Sequence, residues 1–225
     1  MEEIFKNKFF ITGISLIVLF LIITILVQLK VTSNIDEMII ESIYKFRGSH
    51  SNHSGFFYWI NRIITETGYL YALLPGCLIT VILMKGNLKS LFLGLGTLIT
   101  WCTNKIVKTI ISRDRPNPIY HMMEEHSESF PSGHAMTSAF FYFFGAYLIH
   151  KSNLSNKLKK SLTAILIAMP FIISITRVNL SVHYLTDVLA GLLFGGSLVF
   201  FAIIIYEKLA NKGYDGFKNL FTKNK

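Results

Sequence analysis

From Phe9 to Leu29 the chain runs 21 residues without a charged side chain. As a helix that run reaches roughly 31 Å, against a bilayer hydrocarbon core of about 30 Å. Inside lipid every peptide group must find its hydrogen bond within the protein, so a repeated pattern of this kind restricts the fold to a bundle of helices. The pattern does repeat, at about 64–84, Leu88–Ser112, Gly133–His150, Leu162–Thr176 and about Tyr184–Tyr206. The expected class is therefore all-α: a polytopic membrane protein of six transmembrane helices, with 1–225 as one membrane-embedded domain. The first run is longer than a signal-peptide core and no small-x-small site closes it, so it reads as a retained span.

With 52% hydrophobic and 16% charged residues, and a mean hydropathy of +0.48, the composition excludes an ordinary soluble domain. A net charge of +9 could point to nucleic acid, but the basic residues fall in short gaps between apolar runs. Six spans put both termini and the 85–89 and 151–160 loops on one side, with 13 of the 22 Lys and Arg residues. By the positive-inside rule that side is cytoplasmic, so the 113–131 and 177–183 segments face outward in a cytoplasmic membrane; no nucleic-acid partner is implied. Cys77 and Cys102 lie inside apolar segments and form no disulfide or metal framework.

Between the first two spans, Ile35, Met38, Ile39, Ile43 and Phe46 recur at helical spacing, with Asn34 and Glu37 as a capping box and Gly48 as a stop. This predicts a short amphipathic helix at the membrane surface. Phe56–Ile63 reads as an interfacial lead-in, and Pro75 is expected to bend the second span.

Three polar stretches interrupt the apolar pattern on the side opposite the termini. In the first, Lys108 and Arg115 are seven apart, two helical turns, and can share a face before Pro116 breaks the helix. In the second, Pro131-Ser132-Gly133-His134 opens a span. Glycine lets backbone N–H groups approach a ligand, a helix N-terminus favours anions, and His134 can donate a proton. In the third, Arg177 precedes His183 and Asp187, which are four apart and share a face if the last helix starts early. A carboxylate accepting one imidazole N–H leaves the other nitrogen as a directed lone pair. Each piece alone has a structural explanation: snorkelling lysines, an N-cap serine, a histidine in a structural hydrogen bond. Three on one membrane face point to chemistry on an anion.

Lys108-x6-Arg115-Pro116, Pro131-Ser132-Gly133-His134 and Thr176-Arg177-x5-His183-x3-Asp187 together resemble the three-part signature of the type 2 phosphatidic acid phosphatases, or lipid phosphate phosphatases. The match covers about a third of the chain, from Lys108 to Asp187. Thr176 stands where serine is usual, which keeps the hydroxyl, and Leu185 where proline is common. The resemblance implies six membrane helices and a metal-independent phosphatase without cofactor, whose turnover survives EDTA. His183 is then the nucleophile that forms a phosphohistidine, Asp187 fixes its tautomer, and His134 protonates the leaving oxygen. Lys108, Arg115, Arg177, Ser132 and Gly133 hold the phosphoryl oxygens. Bacterial members of the family suggest undecaprenyl diphosphate, recycled for cell-wall assembly, or phosphatidylglycerophosphate, with phosphatidic acid as a third substrate. A phosphotransferase acting on a second lipid is the alternative. A non-catalytic lipid-binding or transport protein fits less well, since both histidines are present. No obligatory protein partner is implied.

Outside the motifs, His50 with His53 and His121 with His126 lack a third metal ligand and read as polar loop. Glu66 either lines a substrate entrance or pairs with Arg62 four residues earlier. Arg113 and Asp114 are expected only to shape their loop, and Gly191-x3-Gly195 to let the last span pack closely against a neighbour.

Overall fold

The apolar runs emerge as helices in the computed structural model, which describes residues 2–47, 55–83 and 85–215. In chain order they are α1 Glu2–Gln28, α2 Ser33–Arg47, α3 Phe56–Glu66, α4 Leu70–Leu83, α5 Leu88–Ile111, α6 Gly133–His150, α7 Asn156–Asn179 and α8 Leu185–Asn211. One 3₁₀ turn, Pro118–Tyr120, lies in the long connection before α6, and no strand occurs among the described residues. Gly48, His50 and His53 lie outside the described residues.

By length and composition α1, α5, α7 and α8 can each cross a membrane, and the bent pair α3–α4 is apolar enough for a fifth crossing if its two halves count as one span. The expected sixth, α6, falls short on composition because it carries the polar residues His134, Thr137 and Ser138, all buried, in its first turns and ends on His150. It packs against α5, α7 and α8, and a helix that meets protein rather than lipid needs no apolar circumference.

Small residues set a close contact between α8 and α6. A Cβ at Gly195 would stand 2.2 Å from the Met136 carbonyl oxygen and 3.0 Å from Ala139 Cβ; one at Gly191 would stand 2.7 Å from the Ser132 carbonyl oxygen. The Gly191-x3-Gly195 stripe thus seats α8 directly on α6, as its spacing predicts.

Two expectations need correction. The second span does not begin at Ile64: the chain breaks at Thr67–Tyr69, with a 42° bend, and Pro75 sits within α4 beyond that break. Gly68 is pressed against Ile173, where a Cβ would come within 2.7 Å of Cγ2, and Tyr142 donates its hydroxyl to the freed Thr67 carbonyl at 3.0 Å. Packing and capping, not proline, place the bend. The amphipathic helix forms, but α2 starts at Ser33, ahead of the Asn34 cap, with the Thr32 carbonyl accepting the Asp36 N–H at 3.0 Å. Ile35, Met38 and Phe46 are exposed as a membrane-surface helix requires, whereas Asp36 and Ile40 are buried against the bundle.

Candidate active site

The short turn Leu180–Tyr184 joins α7 to α8 and presents His183 to the interior. Because α8 begins at Leu185, His183 precedes the helix instead of sharing its face with Asp187. The two still meet, since Asp187 in the first turn folds back to accept the Tyr184 backbone N–H at 2.8 Å, leaving Oδ2 3.4 Å from His183 Nδ1. Ser129 donates its hydroxyl to the same carboxylate oxygen, and Arg113 Nη1 donates to Oδ1 at 2.6 Å. On the opposite edge of the ring, Nε2 lies 3.3 Å from Arg115 Nη1. A guanidinium has no lone pair to offer, so Nε2 must be the unprotonated nitrogen and Nδ1 must carry the hydrogen toward Asp187. Burial, then the positive charges of Arg115, Lys108 and Arg177, hold the His183 pKa well below 6.5. The imidazole is therefore neutral, with its lone pair directed away from Asp187.

His183 stands on the wall of a cleft that also includes Lys108, Arg115, Gly133 and His134, with Arg115 on its Nε2. α5 ends at Ile111 because Ser112 adopts a left-handed conformation, φ 48°, and closes the helix through its N–H to the Lys108 carbonyl at 2.8 Å. Arg115 is thus a loop residue, not a helical neighbour of Lys108; the loop carries it back, anchored by Nε to the Ser127 carbonyl and Nη1 to the Val182 carbonyl, both at 2.6 Å. Lys108 donates to the Ser129 carbonyl at 3.2 Å and to that of Glu128, tying the loop to α5 with two of its three N–H groups.

The remaining motif residues divide. His134 stands in the first turn of α6 on the cleft wall, its ring 4.8 Å from that of Tyr69, and its Nε2 is buried without a hydrogen-bond partner among the described residues. Gly133 lines the cleft beside it. Ser132 does not reach the wall: its hydroxyl caps α6 at 3.5 Å from the Ala135 N–H, and its own N–H donates to the Asp187 carbonyl at 3.0 Å. Arg177, fully buried, is held off the wall by Glu125, which accepts from its Nη2 and lies 3.5 Å from Arg115 Nη2. Burial opposes ionisation of Glu125, yet Arg177 and Arg115 outweigh it and hold the carboxyl below its usual value. Glu66 lies off the wall in an ion pair with Arg62, 3.0 Å between Nε and Oε1. Among the described residues no three His, Cys, Asp or Glu side chains gather as a metal site, and His126 sits exposed beside Glu124.

Glu125, Ser129, Arg113 and Asp36 enter the site without any motif to announce them. Arg113, expected only to shape its loop, bridges Asp187 to the buried Asp36 of α2 at 2.8 Å. Asp36 also accepts the Thr186 N–H at 3.2 Å and hydroxyl at 2.6 Å.

Transfer of a phosphoryl group needs positive charge around three equatorial oxygens and a nucleophile in line, and this cleft gathers Lys108, Arg115 and two histidines on its wall within a helix bundle. Fold and site together define a membrane-bound lipid phosphate phosphatase. The chain belongs to the PAP2 superfamily, whose family model matches residues 89–210. It is 32% identical over 214 residues to phosphatidylglycerophosphatase B of Bacillus subtilis, covering 90% of this chain and 94% of that protein. A lipid A 1-phosphatase of Rhizobium etli is 35% identical over 100 residues, covering 42% of this chain and 39% of its own. The fold is similar to the crystal structure described as the first transmembrane PAP2 type phosphatidylglycerolphosphate phosphatase from Bacillus subtilis. The TM-score is 0.77 at 30% identity, over 88% of this chain and 97% of that one.

Proposed function

We propose that this chain hydrolyses the terminal phosphate of a membrane lipid through a phosphohistidine on His183, at the extracytoplasmic face. One observation carries the reading: His183 stands on a cation-lined cleft with Nδ1 backed by Asp187 at 3.4 Å and Nε2 beside Arg115, whose guanidinium turns to the incoming phosphate and frees that nitrogen. Nε2 attacks phosphorus and the bond to the lipid oxygen breaks. His134 gives that oxygen its proton, and Asp187 stabilises the positive charge left on the ring. Water then attacks the phosphohistidine, returning its proton to His134 and releasing inorganic phosphate. Lys108 and Arg115 face the phosphoryl oxygens, and Arg177 reaches them once Glu125 yields. The incoming phosphate's negative charge itself favours a protonated His134.

The excess of Lys and Arg in the termini and the 85–89 and 151–160 loops supports an outward-facing site. Likeness to phosphatidylglycerophosphatase B over nearly its whole length supports phosphatidylglycerophosphate as the substrate, with undecaprenyl diphosphate next. The test is phosphate release by purified protein from these lipids. His183→Ala should abolish it, and His134→Ala should slow it by about 10²–10⁴-fold, the usual worth of a general acid. Wild-type turnover in both variants would end the catalytic reading, and labelled phosphate appearing on a second lipid instead of in solution would make the chain a transferase.

A further inference from the structure

One cation on the cleft wall is not used by that reaction. Lys105 lines the cleft on α5 with Trp101 and Lys108, and the spacing of the three residues puts them on one helical face. It lies one turn deeper in the span than Lys108, roughly 4.5 Å along the axis for three residues. The other cations are committed to protein acceptors: Lys108 and Arg115 to loop carbonyls, Arg177 to Glu125. Lys105 is exposed, and among the described residues no carboxylate pairs with it; its Nζ rests 5.6 Å from the centre of the Trp101 ring. An unpaired ammonium within a membrane span is costly, and one opening onto a polar cleft calls for an anion.

We propose that Lys105, with Trp101 beneath it, forms a subsite for a second, non-reacting phosphate group of the lipid. The inference rests on the phosphatase reading and adds a substrate class to it. When the terminal phosphate sits against His183, the next polar group of the substrate lies nearer its tail, hence deeper along α5, on the side where Lys105 extends past Lys108. A diphosphate lipid or one with an internal phosphodiester places a negative charge there. A simple monophosphate such as phosphatidic acid offers only ester oxygens, which a lysine rewards far less. The flexible four-carbon stem lets one lysine serve a second phosphate directly attached or one glycerol away.

The test compares kcat/KM of wild type, Lys105→Met and Lys105→Arg on three lipids presented in the same mixed micelles: phosphatidylglycerophosphate, a polyprenyl diphosphate and phosphatidic acid. Methionine keeps the apolar stem and removes the charge. Lys105→Met should lower the preference for the two-phosphate lipids over phosphatidic acid by about 10- to 100-fold, as expected for one charge-assisted hydrogen bond, mainly through KM. Lys105→Arg should restore most of that preference. An equal loss on all three lipids marks Lys105 as a general headgroup anchor and overturns the subsite, as does no loss on any. Turnover of all three lipids with such a flat response leaves the phosphatase reading standing. Release of phosphate from none of them by wild-type protein sinks that reading and the subsite together.

Discussion

Glu125 answers to two guanidiniums, that of the fully buried Arg177 from α7 and that of Arg115 from its own loop on the cleft wall. A phosphoryl group entering the cleft needs the same N–H donors, so carboxylate and substrate compete for them. Glu125→Gln keeps a hydrogen-bond acceptor but leaves the fully buried Arg177 without its counter-charge. Losing one partner of a buried pair costs about 3–5 kcal/mol, so the variant should melt at lower temperature in detergent. Inorganic phosphate should then stabilise it more than it stabilises wild type, because the arginines are open to a new anion. Equal phosphate shifts in thermal unfolding of the two proteins would show that Glu125 does not stand in the phosphate's place. His183 supports a second prediction. Its pKa lies below 6.5, so the free enzyme keeps a neutral nucleophile as pH falls through the ordinary imidazole range and loses it only when the depressed value is crossed. The acid limb of kcat/KM, which reports the free enzyme, should therefore fall below pH 6.5. For the same reason the unfolded chain takes up this proton first, and the stability that the neutral ring contributes is lost on acidification. A kcat/KM profile already half lost at pH 6.5 contradicts the neutral ring.

At the scale of the helices, α2 is bound into the site by one residue. Asp36 is buried and holds Arg113 from the side opposite Asp187 while also accepting both Thr186 donors, so a surface helix braces the carboxylate behind His183. Asp36→Asn retains an acceptor for Thr186 but removes one of the two carboxylates that hold Arg113. It should lower kcat by about 10- to 100-fold with KM little changed, since Arg113 touches Asp187 and not the cleft wall. A matching rise in KM instead would mean that the helix merely shapes the cleft. This connection was invisible in the sequence, where Asp36 lies inside an amphipathic pattern that accounts for it as surface. Ser129, Arg113 and Glu125 were hidden likewise, because loop residues carry no period and their helix-borne partners Asp187, Asp36 and Arg177 are 52 to 77 positions away. What could be read was local: His134 in the first turn of a helix, His183 and Asp187 four apart, glycines spaced to let the last span pack closely against a neighbour. Where a local rule was extended across a boundary it failed. Arg115 left the helix at Ser112, and the bend settled at Gly68 because Ile173 crowds it, while Pro75 drew attention elsewhere.

For the whole molecule the decisive property is sidedness. The cleft residues come from the α3–α4 break, α5, the loop after it, the start of α6 and the α7–α8 turn, so they gather at one end of α6, and the Lys151–Ser155 loop lies one helix away at the other. Charge argues which end is outside: the positive-inside rule counts short loops, and the basic ones are those at the end away from the cleft. Single cysteines test this in a background with Cys77 and Cys102 replaced. Asn117 near the cleft and Asn153 in the opposite loop are both exposed. A membrane-impermeant thiol reagent should label Asn117→Cys in intact cells and Asn153→Cys only after the membrane is opened. The reverse pattern would put the cleft in the cytoplasm, where it would meet lipids as they are made and not after they have crossed. A nucleophile at the outer leaflet also cannot hydrolyse a precursor before its headgroup is translocated, so the orientation decides when in a lipid's life its terminal phosphate is lost.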